Sequence, residues 1–265
     1  MVYINRDNKL MKYPGRELTL NERKQRLYHY TSFNSFVRIW LTQKLKFGVV
    51  TDMNDMFEHN PSSQCHTLDE VKYLDKYLKE KKRYKQISLT MDYDSYTRGC
   101  MSQIMWGVYG DKGNGVCIEF DYAKLLKHIK KGMLHDAIDY KPNLPEPPAV
   151  TKELAKDWNS FFRQKQKELF FTKHDCWSKE NEYRIVSKED YLEIDGAITA
   201  IYIAKPKSPE CKCIEKLLQD NNDVYFKCVY QDSMPDVGTF LNICDVEERI
   251  KHYTHDQTRK AIQHH

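Results

Sequence analysis

Long apolar runs are missing from this sequence of 265 residues. The first ten residues hold no apolar core of the kind that an export signal requires. No stretch approaches the ~20 apolar residues that cross a bilayer. These absences predict a cytoplasmic protein that has no membrane partner.

Paired cysteines at zinc-binding spacing are also missing. The eight cysteines are scattered, and only Cys211 and Cys213 lie within two residues of each other. Structural zinc sites join two close pairs of ligands, and neither Cys211-Lys212-Cys213 nor Cys65-His66 has a second pair to join. We therefore expect no metal site, and thiols that stay reduced in the cytoplasm.

A strong charge of one sign is absent as well. The formal net charge is +4, which by itself does not predict nucleic-acid binding. Two basic runs, residues 79–85 and 124–131, are typical of solvated helix faces. The alternative is a basic patch that contacts phosphate groups.

Glycine is scarce, and four of the ten glycines lie between residues 107 and 115. A glycine loop that binds phosphate follows a strand and opens a helix. Here a segment with strand alternation, residues 116–120, comes after the glycines instead. Gly113-Asn114-Gly115 therefore predicts a hairpin turn.

Aromatic residues are abundant, with eighteen Tyr and eleven Phe, so that rings can build a core where aliphatic residues are sparse. Met105, Trp106 and Tyr109, just before the glycine turn, are able to form an aromatic wall of a pocket.

Strand and helix periodicities are interspersed along the chain without a regular β-α-β order. Strands are predicted near residues 27–30, 44–50, 86–91, 116–120, 135–140, 183–187, 197–204 and 224–230, and helices near residues 33–40, 68–83, 122–131, 150–171 and 208–219. This order predicts an α+β fold with a single mixed, mainly antiparallel sheet and flanking helices. Residues 1–26 are predicted to form a basic arm, residues 27–244 one domain, and residues 245–265 a polar helix or tail.

The first predicted strand carries a polar side chain between two aromatic ones. His29 lies between Tyr28 and Tyr30, and Thr31 or Ser32 is expected to cap the following helix. A histidine in such a strand is usually a hydrogen-bonded core residue. Because two hydroxyl residues follow at once, the alternative is a site that holds a sugar hydroxyl.

Three charges lie close together at residues 180–184. Strand alternation places Glu180, Glu182 and Arg184 on one face, with Tyr183 and Ile185 on the other. One interpretation is an exposed sheet face with a surface ion pair of little energetic weight. The other is a cleft in which two carboxylates and a cation shift each other's pKa values.

Two further groups have both structural and functional interpretations. Asp55 and Glu58, next to Asn54, have the spacing of a capping box, and they equally suit an acidic ligand cluster. Cys176 with His174 has the residue types of a nucleophile and its base, but no third, orienting group accompanies them.

The sequence resembles an uncharacterised family of bacterial and phage proteins, domain of unknown function 2971. The resemblance extends from about residue 27 to residue 230 and rests on five motifs in the family's order: Leu27-Tyr28-His29-Tyr30-Thr31, Met53-Asn54-Asp55-Met56-Phe57-Glu58, Met105-Trp106-Gly107-Val108-Tyr109, Gly115-Val116-Cys117-Ile118-Glu119-Phe120-Asp121, and Trp177-Ser178-Lys179-Glu180-Asn181-Glu182-Tyr183-Arg184. The chain departs from the family at Met56, where proline is frequent, at Val108, where histidine is common, and at Ala204, where glycine usually ends the strand.

A more distant resemblance implies an activity. Tyr28-His29-Tyr30-Thr31-Ser32 is similar to the first motif of ADP-ribosyltransferases, and Glu182-Tyr183-Arg184-Ile185-Val186 is similar to the third. The resemblance implies a split, mainly antiparallel sheet and the use of NAD as a substrate. It also implies an ADP-ribosyltransferase or NAD-cleaving enzyme, such as a toxin or a phage-defence effector, with a protein or nucleic acid as a possible acceptor.

The same resemblance implies a role for each candidate residue. Glu182, with Glu180 as its substitute, would stabilise the positive charge that develops on the reacting ribose. His29 would hold the adenosine ribose, and Thr31 or Ser32 would position the nicotinamide side. Rings would stack on nicotinamide and a cation would meet pyrophosphate: Tyr30, Trp106 or Tyr109 for the first, and Arg184 or Lys179 for the second.

Two other functions stay open. One is a non-catalytic sensor of nucleotides or other ligands in a defence system, which would use the same residues for binding alone. The other is a metal-dependent nuclease or nucleotide hydrolase that holds Mg²⁺ with four carboxylates, those of Asp55, Glu58, Glu180 and Glu182.

Overall fold

The computed structural model describes residues 2–4, 10–12, 16–50, 68–143, 157–234 and 238–246. The chain divides into two compact units. Unit 1 comprises residues 1–43, 90–126 and 194–265, and unit 2 comprises residues 44–89 and 127–193. The prediction of one domain over residues 27–244, with an arm before it and a tail after it, stays a prediction.

Seven α-helices are described. They are α1 (Leu20–Arg23), α2 (Phe33–Thr42), α3 (Leu68–Lys81), α4 (Gln103–Val108), α5 (Tyr122–Leu126), α6 (Trp158–Phe170) and α7 (Pro209–Leu218). Short side chains begin several of them: Ser32, Asp157 and Ser208 each accept a hydrogen bond from a backbone N–H of the first turn, which satisfies a donor that has no partner within the helix.

The sheet of unit 1 is built on the central strands β3 (Arg26–Thr31) and β7 (Val116–Asp121), which pair antiparallel. β7 also pairs with β13 (Ile198–Ile203), and β13 pairs with β14 (Tyr225–Met234) in the one parallel ladder of this group. β15 (Gly238–Asp245) closes the edge against β14. A separate antiparallel pair is formed by β1 (Val2–Ile4) and β2 (Leu10–Lys12).

The core on one face of this sheet is aromatic. Alternation along β3 directs Tyr28 and Tyr30 to the same side, where they pack with Trp106 of α4 and Tyr202 of β13. The rings form this core with few aliphatic side chains, because each ring buries a large apolar area.

Unit 2 contains shorter strands: β4 (Lys44–Lys46), β5 (Gly48–Val49), β8 (Leu134–Ala137), β9 (Asp139–Lys141), β10 (Thr172–His174), β11 (Glu182–Ser187) and β12 (Tyr191–Glu193). β6 (Lys85–Met91) contributes residues 85–89 to unit 2 and residues 90–91 to unit 1. Within unit 2, β11 lies between β6 and β8, β5 pairs with β6, β4 pairs with β12, and β9 and β10 run parallel. Phe161, Phe170 and Phe171 pack with Val186 to form its core.

The predicted α+β class with a mixed, mostly antiparallel sheet is confirmed. The predicted hairpin at Gly113-Asn114-Gly115 is wrong: helix α4 precedes these glycines, and a 3-10 turn, Asp111–Gly113, joins it to β7. Gly115 has a steric role instead, because a Cβ atom there would lie 2.2 Å from the carbonyl oxygen of Thr31.

The strand β15 was not predicted. Its polar residues and the preceding Ser233-Met234-Pro235-Asp236 segment hide the alternation, and only the pairing with β14 identifies it as a strand.

Candidate functional site

The approach to β11 differs from the prediction. Glu180 was expected on the same strand as Glu182, but it ends a 3-10 helix, Asp175–Glu180. Asn181 follows with a left-handed backbone (φ 49°), a conformation that asparagine tolerates better than most residues. The turn at Asn181 interrupts the alternation, so Glu180 reaches Glu182 through folding of the chain rather than along one strand face.

Four charged side chains meet at this point and form what we call the charged cluster: Lys173, Glu180, Glu182 and Arg184. The guanidinium of Arg184 donates two hydrogen bonds to Glu182, from Nε to Oε1 at 2.7 Å and from Nη2 to Oε2 at 3.0 Å. The ammonium of Lys173 lies 2.6 Å from Oε2 of Glu180 and 3.6 Å from Oε2 of Glu182. Two cations thus face two carboxylates.

The charged cluster is buried. Each of its four side chains is at most 7% exposed, although isolated charges are almost never buried because their desolvation costs several kcal/mol. Every residue of β11 is buried, so neither predicted face of the strand is a solvent face. The interpretation as an exposed sheet face is wrong.

Neutral groups complete the charged cluster. Arg184 Nη1 donates to the carbonyl oxygen of Phe170 at 2.8 Å, and the backbone N–H of Glu182 donates to the hydroxyl of Tyr140 at 3.0 Å. The ammonium of Lys173 also lies 4.8 Å from the centre of the Trp177 ring, a favourable contact of a cation with an aromatic face.

Electrostatics keeps Glu182 ionised. Burial alone would raise the pKa of this carboxyl group, but the charges of Arg184 and Lys173 outweigh burial and lower the pKa to about 2. Burial, with the neighbouring charge of Glu182, raises the pKa of Tyr140, so its hydroxyl stays neutral. Near neutral pH the charged cluster therefore holds a permanent carboxylate.

Sequence reasoning missed Lys173 and Tyr140. Lys173 lies on β10 and Tyr140 on β9, two parallel strands that pair in register. Their sequence contexts, Thr172-Lys173-His174 and Asp139-Tyr140-Lys141, are short and polar and give no signal of burial. Lys173 lies seven positions before Glu180. This spacing predicts an ion pair only if the chain between the two residues is known to turn back.

The residues predicted around the first motif lie in unit 1, and the charged cluster lies in unit 2. His29 is half-buried on β3 and opposite Ile118 of β7. Thr31 ends the strand, and Ser32 caps α2 through its side chain. The predicted capping of this helix by Thr31 or Ser32 is confirmed for Ser32.

The predicted stacking rings lie together in the core of unit 1. Tyr30 and Trp106 are each 6% exposed, and their rings meet edge to face with centroids 5.2 Å apart. Tyr30 donates its hydroxyl proton to the carbonyl oxygen of Gly99, and Trp106 donates Nε1–H to the carbonyl oxygen of Cys100. Tyr109 packs against this cluster and is only partly buried.

The remaining candidates have simple outcomes. Asn54, Asp55 and Glu58 lie outside the described residues. His174 Nδ1 accepts a hydrogen bond from the backbone N–H of Cys176 at 3.1 Å, and not from its thiol, so the imidazole caps the 3-10 helix.

In the part of the chain that the structure describes, no group of three or more His, Cys, Asp or Glu side chains is placed to hold a metal ion. Among the same residues, no helix combines the length and the apolar character needed to cross a membrane.

Comparison with known proteins supports the first resemblance. The family model described as "Protein of unknown function (DUF2971)" matches residues 105–185. The match includes the motifs at residues 105–109, 115–121 and 177–184, so the predicted resemblance to this family is confirmed over that range. No curated protein matches the chain.

Proposed function

We propose that the chain cleaves NAD at the bond between nicotinamide and ribose and passes ADP-ribose to water or to a macromolecular acceptor. The observation that carries the proposal is the carboxylate of Glu182, which Arg184 and Lys173 keep ionised. A negative charge that is always present is what the developing positive charge on a ribose requires. An ADP-ribosyltransferase-like fold belongs to the same proposal, and the mixed, mostly antiparallel sheet supports it.

The chemical step is a substitution at ribose C1′. The bond from C1′ to the nicotinamide nitrogen breaks, and its electron pair leaves with nicotinamide, which becomes neutral. Positive charge then spreads over C1′ and the ring oxygen until the acceptor oxygen or nitrogen bonds to C1′ and loses its proton. Glu182 would act by stabilising that charge more strongly in the transition state than in the ground state.

The packing of Glu182 adds a condition to this mechanism. The residue is 3% exposed, and Arg184 occupies both carboxylate oxygens. A substrate reaches this carboxylate only after a contact of the charged cluster opens. The contact between Lys173 and Glu182, at 3.6 Å, is the longest ion pair in it and is proposed to open first.

The burial of the rings also refines the proposed binding roles. Tyr30 and Trp106 are tied into the core of unit 1 by hydrogen bonds, so neither ring is proposed to stack on nicotinamide. Because Arg184 is buried and bonded to Glu182 and to the carbonyl oxygen of Phe170, the exposed Lys179 is the proposed contact for pyrophosphate.

Release of nicotinamide from NAD tests the proposal. The wild-type chain should release it, and Glu182→Gln should lower the rate on the order of a hundredfold, by analogy with the loss of one charge-stabilising donor. Glu193→Gln, at an exposed carboxylate paired with Lys44, is the matched control.

Folding of each variant must be measured by circular dichroism, because Glu182 is buried. Glu182→Asp, which keeps the charge but shortens the side chain, provides a second variant if Glu182→Gln does not fold. Unchanged release in a folded Glu182 variant would remove this residue from the chemistry. No release by the wild type, with water, protein or nucleic acid as acceptor, would exclude the activity.

A non-catalytic binding module is the second candidate, and the closure of the charged cluster favours it. All four charges are paired and buried, as in a purely structural network. For this function, calorimetry should detect NAD binding without nicotinamide release, and the affinity should be the same in Glu182→Gln.

A further inference from the structure

A second group of polar side chains lies in unit 1, on the aromatic face of its sheet. We call it the Arg98 cluster, and it comprises Arg26, Tyr28, Asp92, Arg98, Glu119, Thr199 and Tyr202. Glu119, on β7, is 7% exposed. Its two carboxylate oxygens accept hydrogen bonds of 2.8 Å, Oε1 from the hydroxyl of Thr199 and Oε2 from that of Tyr202.

Asp92 and Arg26 form an ion pair. Arg26 Nε and Nη2 each lie 3.1 Å from Oδ2 of Asp92. The other oxygen, Oδ1, accepts the backbone N–H of Gly99 at 3.0 Å. Both carboxylates of the Arg98 cluster are therefore already bonded.

Arg98 is different, because most of its N–H donors have no partner among the described residues. The residue is half-buried, and its side chain makes one hydrogen bond with the described residues, a long one of 3.4 Å from Nη1 to the hydroxyl oxygen of Tyr202. A guanidinium has five N–H donors in a rigid fork, and no carboxylate in the described part of the chain lies within ion-pair distance of it.

The hydroxyl of Tyr28 is a second unused group. Tyr28 is 0% exposed, and its hydroxyl has no hydrogen-bond partner among the described residues. The backbone of Gly99 packs closely against the Tyr28 ring, since a Cβ atom at Gly99 would lie only 2.3 Å from Tyr28 Cδ2. Burial raises the pKa of Tyr28 well above its ordinary value, so the hydroxyl keeps its proton and is able to donate.

A buried polar group without a hydrogen-bond partner lowers the stability of the folded protein. A ligand that accepts a hydrogen bond from this group therefore binds more tightly. Tyr202 lies next to both groups: its hydroxyl oxygen is 3.4 Å from Arg98 Nη1, and its ring centre is 6.3 Å from that of Tyr28. A half-exposed guanidinium and a buried phenol thus both lie next to Tyr202. An acceptor-rich, negatively charged group would satisfy both.

We propose that Arg98 and the hydroxyl of Tyr28 bind a small oxyanion, the carboxylate or phosphate group of a ligand. The oxyanion enters from the solvent side of Arg98 and accepts hydrogen bonds from the guanidinium fork and from the phenol. Arg26 adds attraction at longer range, and the hydroxyls on Glu119 hold that carboxylate away from the ligand. The site uses no residue of the charged cluster and does not rest on NAD cleavage.

Binding of inorganic phosphate and of acetate, each at constant ionic strength, tests this proposal. We expect calorimetry or a rise in melting temperature to detect at least one of them, with a dissociation constant below about 10 mM. Arg98→Gln should lower the affinity at least tenfold, the scale expected for a charged hydrogen bond. Arg38→Gln is the matched control, because Arg38 is an exposed arginine of the same unit.

Tyr28→Phe separates a binding role from a structural one. The variant should bind the oxyanion several-fold more weakly. Without the anion, it should melt at the same temperature as the wild type or higher, because the change removes a buried hydroxyl that has no partner. Arg98→Lys keeps the charge and replaces Arg98→Gln if that variant does not fold.

The proposal is overturned if neither phosphate nor acetate binds, or if a bound anion is unaffected by the Arg98 and Tyr28 variants, which would mark an adventitious ion only. A lower melting temperature of unliganded Tyr28→Phe would also overturn it, since the hydroxyl would then already have a partner. None of these outcomes bears on nicotinamide release, which is measured separately.

Discussion

Arg184 stabilises Glu182 and depends on it in turn. The pair shares two hydrogen bonds in a site where both side chains are 3% exposed. Attraction between buried charges is opposed by the cost of removing them from water, so the intact pair is worth much less than its geometry suggests. Removal of one partner has a larger effect, because the other charge is left buried and unpaired.

Replacement of one or both partners should reveal this asymmetry. We expect Arg184→Met to lower the free energy of unfolding by about 3–5 kcal/mol. The double variant Arg184→Met with Glu182→Leu should recover part of that loss, because no unpaired charge stays buried. Urea titration measures both.

Lys165→Met provides the control, because this lysine forms an exposed pair with Glu168 and should change the free energy of unfolding by less than about 1 kcal/mol. The single variant Glu182→Leu completes the comparison. A double variant that is less stable than the wild type by the full sum of the two single-variant losses would contradict the expected coupling.

The ionisation of Glu182 should also make stability depend on pH. Its pKa is lowered from 4.5 to about 2 in the folded chain. A lowered pKa means that the unfolded state binds the proton more readily, so the stabilisation is fully present above the unfolded pKa and is lost as the pH falls through the folded pKa. The expected window is therefore from about pH 5 down to pH 2.

Unfolding by urea at pH 6, 4 and 3 should show a smaller loss of stability in Glu182→Gln than in the wild type over this window. Glu168→Gln, at the exposed carboxylate, should follow the wild type. Parallel curves for the wild type and Glu182→Gln would mean that Glu182 is not held ionised by the fold.

At the scale of elements, the segment from α4 (Gln103–Val108) to β7 (Val116–Asp121) shows why glycine spacing alone is ambiguous. The same glycines suit a hairpin, a phosphate loop or a helix-to-strand turn. Gly115 is required by a close approach of backbones, since its position for Cβ is 2.2 Å from the carbonyl oxygen of Thr31. Gly107 has open space within 4 Å and lies inside helix α4.

Alanine substitutions at these two glycines should therefore have opposite effects. Gly115→Ala forces β3 and β7 apart and should destabilise the chain by more than about 2 kcal/mol, the range of steric strain in a packed core. Gly107→Ala should stabilise the chain by about 0.5–1 kcal/mol, because alanine is the better helix former.

Thermal and urea unfolding of the two variants, beside the wild type, measure both effects. Equal stability of Gly115→Ala and the wild type would show that β3 shifts freely at Thr31.

At the scale of the whole molecule, the charged cluster and the Arg98 cluster belong to different units. The four charges of the former are paired among themselves. In the latter, the Tyr28 hydroxyl and most N–H groups of Arg98 have no hydrogen-bond partner among the described residues. Because the two clusters share no residue, Glu182 variants test nicotinamide release and Arg98 and Tyr28 variants test oxyanion binding. The family match, over residues 105–185, includes Glu119 of one cluster and the whole of the other.

The fold class and most element positions follow from the amino-acid sequence alone, because periodicity, caps and turns act over a few neighbouring residues. The strand with His29, the cap at Ser32 and the helix after Ser208 all follow from such local signals. That Glu182 and Arg184 share a side of a strand follows in the same way, since alternation depends only on the backbone.

The burial of each side chain, and the groups that it contacts, depend on how distant segments pack together. Lys173 joins Glu180 and Glu182 because β10 and the 3-10 helix Asp175–Glu180 turn the chain back on itself. Among the described residues, the Tyr28 hydroxyl lacks a hydrogen-bond partner and Arg98 has one long bond, because β3, β13 and the 3-10 helix that begins after Arg98 pack together although they are far apart in sequence. Burial and pairing are sums over such distant contacts, so no local pattern encodes them.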